Sequence, residues 1–227
     1  MRPARRLLLC AGLLPWLACT TLPDYAAPRG WVIEDPASLD QSDVIPYRTL
    51  TRSDFRGTEP PPWMAPYADR VGAATCAHIL TTKDTQIQVE PYPTSDGSLH
   101  YRATPHHLRF HAQMDRSCSW WNPEDMGLPS DYILEHEQIH LAIVELEARR
   151  LNERVPELAT HLNATAPTAE GAVLAAQEQL QEQIRRRMED ILARSRAFDE
   201  DTSMGHRPER QRRWWNQVHR ELAATAD

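Results

Sequence analysis

A chain of 227 residues with 41% hydrophobic side chains is long enough for one substantial domain with a buried core. Asp and Glu outnumber Lys and Arg by 32 to 25, a net charge of -7 that excludes a nucleic-acid partner, because phosphate contacts need a basic face. The arginines that do cluster, at 185–187 and between 207 and 213, are interleaved with Glu and Gln and read as solvated helix faces.

The amino-terminal residues form an address. Arg2, Arg5 and Arg6 precede an apolar run from Leu7 to Leu17, and Leu17-Ala18-Cys19 is a small-residue processing site. Residues 1–18 are therefore expected to be a signal peptide, with Cys19 the point of lipid attachment in a cell-envelope lipoprotein on the periplasmic side. Residues 19–45 read as a tether, and 46–227 as a single domain entered through Pro60-Pro61-Pro62. No later stretch approaches the roughly 20 apolar residues of a membrane span.

Cys76 and Cys118 remain as the mature cysteines. In an oxidising compartment one disulfide is the simplest reading, worth about 4 kcal/mol on the chain-entropy model; two buried thiols, or Cys118 as a metal ligand, are the alternatives.

Between Ala73 and Gln113 the pattern favours strands. Ile87 and Val89 alternate with polar residues, Ser95-Asp96-Gly97 is a turn, and Leu108, Phe110 and Ala112 alternate again. After Pro129 the pattern becomes helical. Ser130 is a suitable N-cap, and 131–152 contain neither Gly nor Pro. A short turn over 157–163 is followed by a long helix from Thr168 to about Arg196 and a last helix from Gln211 to Ala223. The fold class is α+β, a small antiparallel sheet followed by a helical half.

His136-Glu137-Gln138-Ile139-His140 lies on the first of these helices. Residues four apart are stacked on one helix face, so both imidazoles can grip one ion. At about 100° per residue the histidines fall in the middle of the apolar stripe, with Glu137 at its edge. Zinc suits two neutral imidazoles, and an open position for water would make the site catalytic, with Glu137 as general base. Glu147 is too far along the axis to share the ion and reads as a buried partner for an Arg or a group orienting a ligand; Glu145 points away as a solvated or interhelical carboxylate.

The third ligand has no adjacent candidate. His206, in the Gly205-flanked break between the last two helices, is the first choice; Glu189 is another, and His106, His107 and His111 lie near strands. Three functions remain open: a zinc peptidase acting on a peptide or protein substrate, a non-catalytic zinc-binding envelope protein with a scaffolding or assembly role, and a histidine pair packed in a core.

Four segments together resemble a bacterial secreted domain family of predicted zinc-dependent proteases. They are Leu50 to Gly57 followed by Ala73-Ala74-Thr75; Ser119-Trp120; Leu134 to His140 with Ala148 to Leu151; and Phe198-Asp199, Thr202, Gly205, Gln211 and Trp214. The resemblance spans roughly 45–220 and implies a zinc site on the His136–His140 helix. This chain departs from the family at Ile139, where Gly is usual, and at Met204, where the family has a His; His206 lies two residues later.

Overall fold

The structure, a computed structural model, describes residues 41–124 and 126–225. The expected signal peptide, the lipid-attachment site at Cys19 and the tether as far as residue 40 lie outside the described residues.

The architecture is α+β. The strands are β1 (Val44–Pro46), β2 (Ala73–Thr81), β3 (Gln86–Pro93), β4 (Leu99–His106), β5 (Phe110–Trp121) and β6 (Ala164–Ala166). The helices are α1 (Ser130–Glu153), α2 (Val155–His161), α3 (Ala169–Thr202) and α4 (Pro208–Ala224). The strands form two antiparallel sheets of three, in the orders β1-β5-β2 and β3-β4-β6, where the sequence alone suggests one. The hairpin turn falls at Ser95-Asp96-Gly97, with Gly97 at φ 83°. Among the described residues no helix is long and apolar enough to cross a membrane.

The first sheet packs on α1. Along β5, Phe110, Ala112 and Met114 are buried while His111, Gln113 and Asp115 are half-buried, the period of two that an inward-facing strand requires. Cys76 and Cys118 are joined in a disulfide between β2 and β5, the expected pairing.

Helix α1 is enclosed by β2, β5, α3 and α4, and from Gln138 to Arg149 every residue but His140 is buried. A single apolar stripe is thus too narrow a description of it. Its charges survive burial by pairing. Glu145 takes Arg149 at 2.7 Å, and that guanidinium also donates to the Leu222 carbonyl of α4. Glu147 lies between Arg150 and Arg187, the partner for an Arg that its position on the helix suggests. Gln138, also buried, accepts from the Leu50 amide at 2.8 Å and donates to the Arg48 carbonyl at 3.1 Å. That side chain clasps the amino-terminal segment against the turn that bears the histidines.

Three helices meet at Glu221 of α4, which pairs with Arg194 of α3 and Arg150 of α1, each at 2.8 Å. Partial burial would raise its carboxyl, but the arginines outweigh burial and lower it. A depressed folded value places the stabilisation above the unfolded value of 4.5, and it is lost as pH falls through the folded one. Glu221→Gln is expected to lower unfolding free energy by about 1–2 kcal/mol at pH 7. Denaturant titrations should show that difference shrinking as pH falls below 4.5.

Candidate metal centre

His136 and His140, one turn apart on α1, present their Nε2 atoms to a single carboxylate oxygen. Asp199 Oδ1 lies 3.1 Å from the first and 3.0 Å from the second. Ligand atoms bonded at about 2.0–2.1 Å around a tetrahedral ion lie about 3.3 Å apart, so the spacing is close to that of a metal site. One donor atom from each of the three residues falls within 4.8 Å of the others, and the group could hold a metal ion. Asp199 arrives on α3. Phe198 beside it is buried and stacks on the His136 ring at 4.4 Å, with the His140 ring edge-on at 5.0 Å.

The surroundings set the His136 tautomer. The backbone carbonyl of Tyr132 can only accept, so the Gln211 group 3.1 Å from it is the amide nitrogen. The Gln211 oxygen then faces His136 Nδ1 at 3.0 Å, and Nδ1 must be the donor. In a neutral ring that leaves Nε2 as a bare lone pair turned to Asp199. Two acceptors face each other there, an arrangement that a cation between them relieves. A ring nitrogen tied to an amide or carboxylate is how proteins orient a metal-binding histidine.

In the metal-free protein a proton takes part of that role. Burial pushes the His140 ring down, but the Asp199 carboxylate, with Glu137 behind it, outweighs burial and raises it from 6.5 to about 9. Burial pushes the Asp199 carboxyl up, and the His140 imidazolium, foremost among its neighbours, holds it well below the usual carboxylate range instead. The raised folded value means that the pair stabilises the metal-free fold below 6.5 and loses that contribution as pH rises through about 9. A bound metal would displace the same proton.

Glu137 is 3% exposed, and its Oε2 accepts from the Thr75 hydroxyl at 2.8 Å. It lines, with all three residues of the cluster, a cleft of about 980 Å³. The cleft runs between α1, α3 and strand β2, which is an edge strand of its sheet among the described residues. Trp63, Tyr67 and Leu192 contribute exposed apolar surface to its lining.

No protein-family model matches this chain. Neither do the curated proteins or the solved structures offer a match.

The structure therefore brings His136, Glu137 and His140 together and does not bring His206 to them. Ser203, Met204 and Gly205 all adopt positive φ, at 52°, 55° and 86°. The turn they make leaves His206 exposed, its ring nitrogen 3.0 Å from the Arg70 carbonyl. The third donor of the group that could hold a metal ion comes from Asp199. Glu189 is exposed and ion-paired to Arg185, while His106, His107 and His111 remain around β4 and β5, outside the cluster. Asp199 carried one sequence signal, its place in the Phe198-Asp199 segment of the family resemblance. Gln211 was legible in the same way, but nothing in its spacing announced an orienting role.

The assignment separates two variants. Asp199→Ala is expected to weaken binding of Zn²⁺ or Co²⁺ by at least about 100-fold, since loss of an orienting partner alone costs 10–100-fold. His206→Ala should bind within a factor of about two of the native chain, because its ring bonds to the Arg70 carbonyl and stands outside the donor group. Competition against a chromophoric chelator measures both.

Proposed function

We propose that this chain is an exported zinc-dependent peptidase that hydrolyses peptide bonds in polypeptide substrates. The observation that carries the reading is the convergence of His136, His140 and Asp199 with the buried carboxylate of Glu137 beside them. Two imidazoles and one carboxylate are a donor set suited to zinc. Three protein ligands among the described residues match a catalytic site with an open position better than a closed, four-ligand structural one. A zinc ion held there supplies Lewis acidity and water acidified to a pKa of about 7.

The roles of the chain's own groups follow from their contacts. His136, with Nδ1 committed to Gln211, and His140 offer Nε2 to the ion, and Asp199 offers Oδ1. Glu137 keeps Oε2 in its bond to Thr75, so Oε1 is the oxygen that accepts a proton from the attacking water and returns it to the leaving amine. A polypeptide substrate is supported by the cleft itself. Its wall includes an edge strand with backbone groups open to strand addition, and its lining includes exposed aromatic and aliphatic side chains suited to side-chain contacts. Export is supported by the disulfide, which persists in oxidising compartments. Anchoring through Cys19 belongs to the same proposal.

The variant Glu137→Gln separates catalysis from metal binding. It should retain Zn²⁺ at native stoichiometry while hydrolysis of casein or a mixed quenched-fluorescence peptide set falls by about 10²–10⁴-fold. A zinc-loaded native chain that hydrolyses neither substrate would support a scaffolding zinc protein in place of the peptidase.

A further inference from the structure

The segments around Gly57, Thr75 and Ser119 lie outside the donor set, yet they meet at one point. From the geometry we infer that Thr75 is a positioning residue for Glu137, held in place by an irregularity in the first sheet. The inference rests on the peptidase reading, in which Glu137 is the general base.

The register of β2 and β5 breaks between the pairs Ala74↔Trp120 and Cys76↔Asp115. Across that interval Thr75 alone stands opposite residues 116–119 of β5, so β5 is looped out there. Such a bulge re-aims the side chain facing it, and here that side chain is Thr75, whose hydroxyl donates to Glu137 Oε2 at 2.8 Å.

The bulge is secured from three sides. Asp115 Oδ1 accepts from the backbone of Ser117 and Cys118, at 2.8 and 3.2 Å, closing the loop on itself. The Cys76–Cys118 disulfide joins the residue after Thr75 to the bulge, and the Cys76 amide donates to Ser119 Oγ at 2.9 Å. From the amino-terminal segment, the amides of Arg56 and Gly57 donate to the carbonyls of Arg116 and Ser119, each at 2.8 Å. Gly57 sits so close that a Cβ there would lie 3.0–3.2 Å from three bulge carbonyls, those of Ser117, Cys118 and Ser119. Only glycine fits without moving the bulge.

These contacts explain why a loop, a strand edge and a Ser-Trp pair, remote in sequence from the histidines, belong to one assembly. Their shared product is the direction of one hydroxyl. The carboxylate that must face a water is fixed by a bond to its other oxygen, and general-base catalysis depends steeply on such placement.

Thr75→Val keeps the β-branched shape and removes the hydroxyl, and Thr75→Ser keeps the hydroxyl. With zinc-loaded protein and the casein or quenched-peptide assay, Thr75→Val is expected to lower kcat by about 10–100-fold with KM within about twofold. Thr75→Ser should recover most of kcat. A second readout needs no turnover: in metal-free protein Thr75→Val should lower the unfolding midpoint in the native background and leave it unchanged in Glu137→Ala. Full kcat in Thr75→Val while Glu137→Gln is inactive, or an equal midpoint shift in both backgrounds, overturns the inference and leaves the peptidase reading standing. Hydrolysis that survives Glu137→Gln removes Glu137 as the general base and the inference with it, whereas a zinc-loaded native chain without hydrolysis removes the peptidase reading.

Discussion

One carboxylate oxygen holds the helical half of the molecule in register. Asp199 Oδ1 approaches two imidazole nitrogens that come from a helix 59 residues or more earlier in the chain, and α3 must end where it does for that approach to occur. An anion buried beside two rings is costly unless its charge is met, either by the proton on His140 or by a metal. That requirement explains the company it keeps. Phe198 packs against both rings, while Gln211 on α4 turns one ring and Trp214 packs against Phe198. A candidate metal donor, its apolar cover and its orienting amide thus come from two helices joined by a short turn.

The support reaches the other flank of α1 as well. Gln138 lies between the two histidines' positions and the clasp of the amino-terminal segment, and its amide holds both Arg48 and Leu50. A few residues on, Asp54 is fully buried and takes Arg48 at 2.6 Å and Arg116 at 3.2 Å. Arg116 begins the irregular stretch of β5, so a single buried carboxylate connects the segment that clasps the helix to the strand that aims Thr75. Enclosure on every side gives α1 little freedom to rotate, and the directions of His136, Glu137 and His140 are set by packing as much as by their spacing.

The local features were legible in sequence because they depend on nearest neighbours. The four-residue spacing of the histidines, the alternation in β3 and β5 and the Ser95-Asp96-Gly97 turn read directly from residue order, and the disulfide was the simplest reading of two mature cysteines. What stayed hidden depends on distant contacts. The helical apolar spacing of the long helix gives out at Ile191 and suggests an end near Arg196. In the fold α3 continues to Thr202, because Phe198 is buried against the two histidine rings and the Thr202 hydroxyl bonds back to the Phe198 carbonyl. The same extension delivers Asp199. His206 drew attention because it follows a glycine, but that glycine serves the turn and sends the imidazole outward. The three-residue strand β6 is too short to show a period, and the division of the strands into two sheets is decided by pairings that no local pattern encodes.

The left-handed turn at Ser203, Met204 and Gly205 has a consequence for how this region can vary. It spaces Asp199 from Gln211 so that both reach His136 from successive helices, and the Tyr132 hydroxyl pins it by donating to the Gly205 carbonyl. A residue added to or removed from this hinge would change where α4 begins relative to the end of α3 and carry the amide off the ring. Chain length between those two side chains is therefore under tighter restraint than the identity of most residues in it, and a deletion there would be felt at a nitrogen atom on another helix.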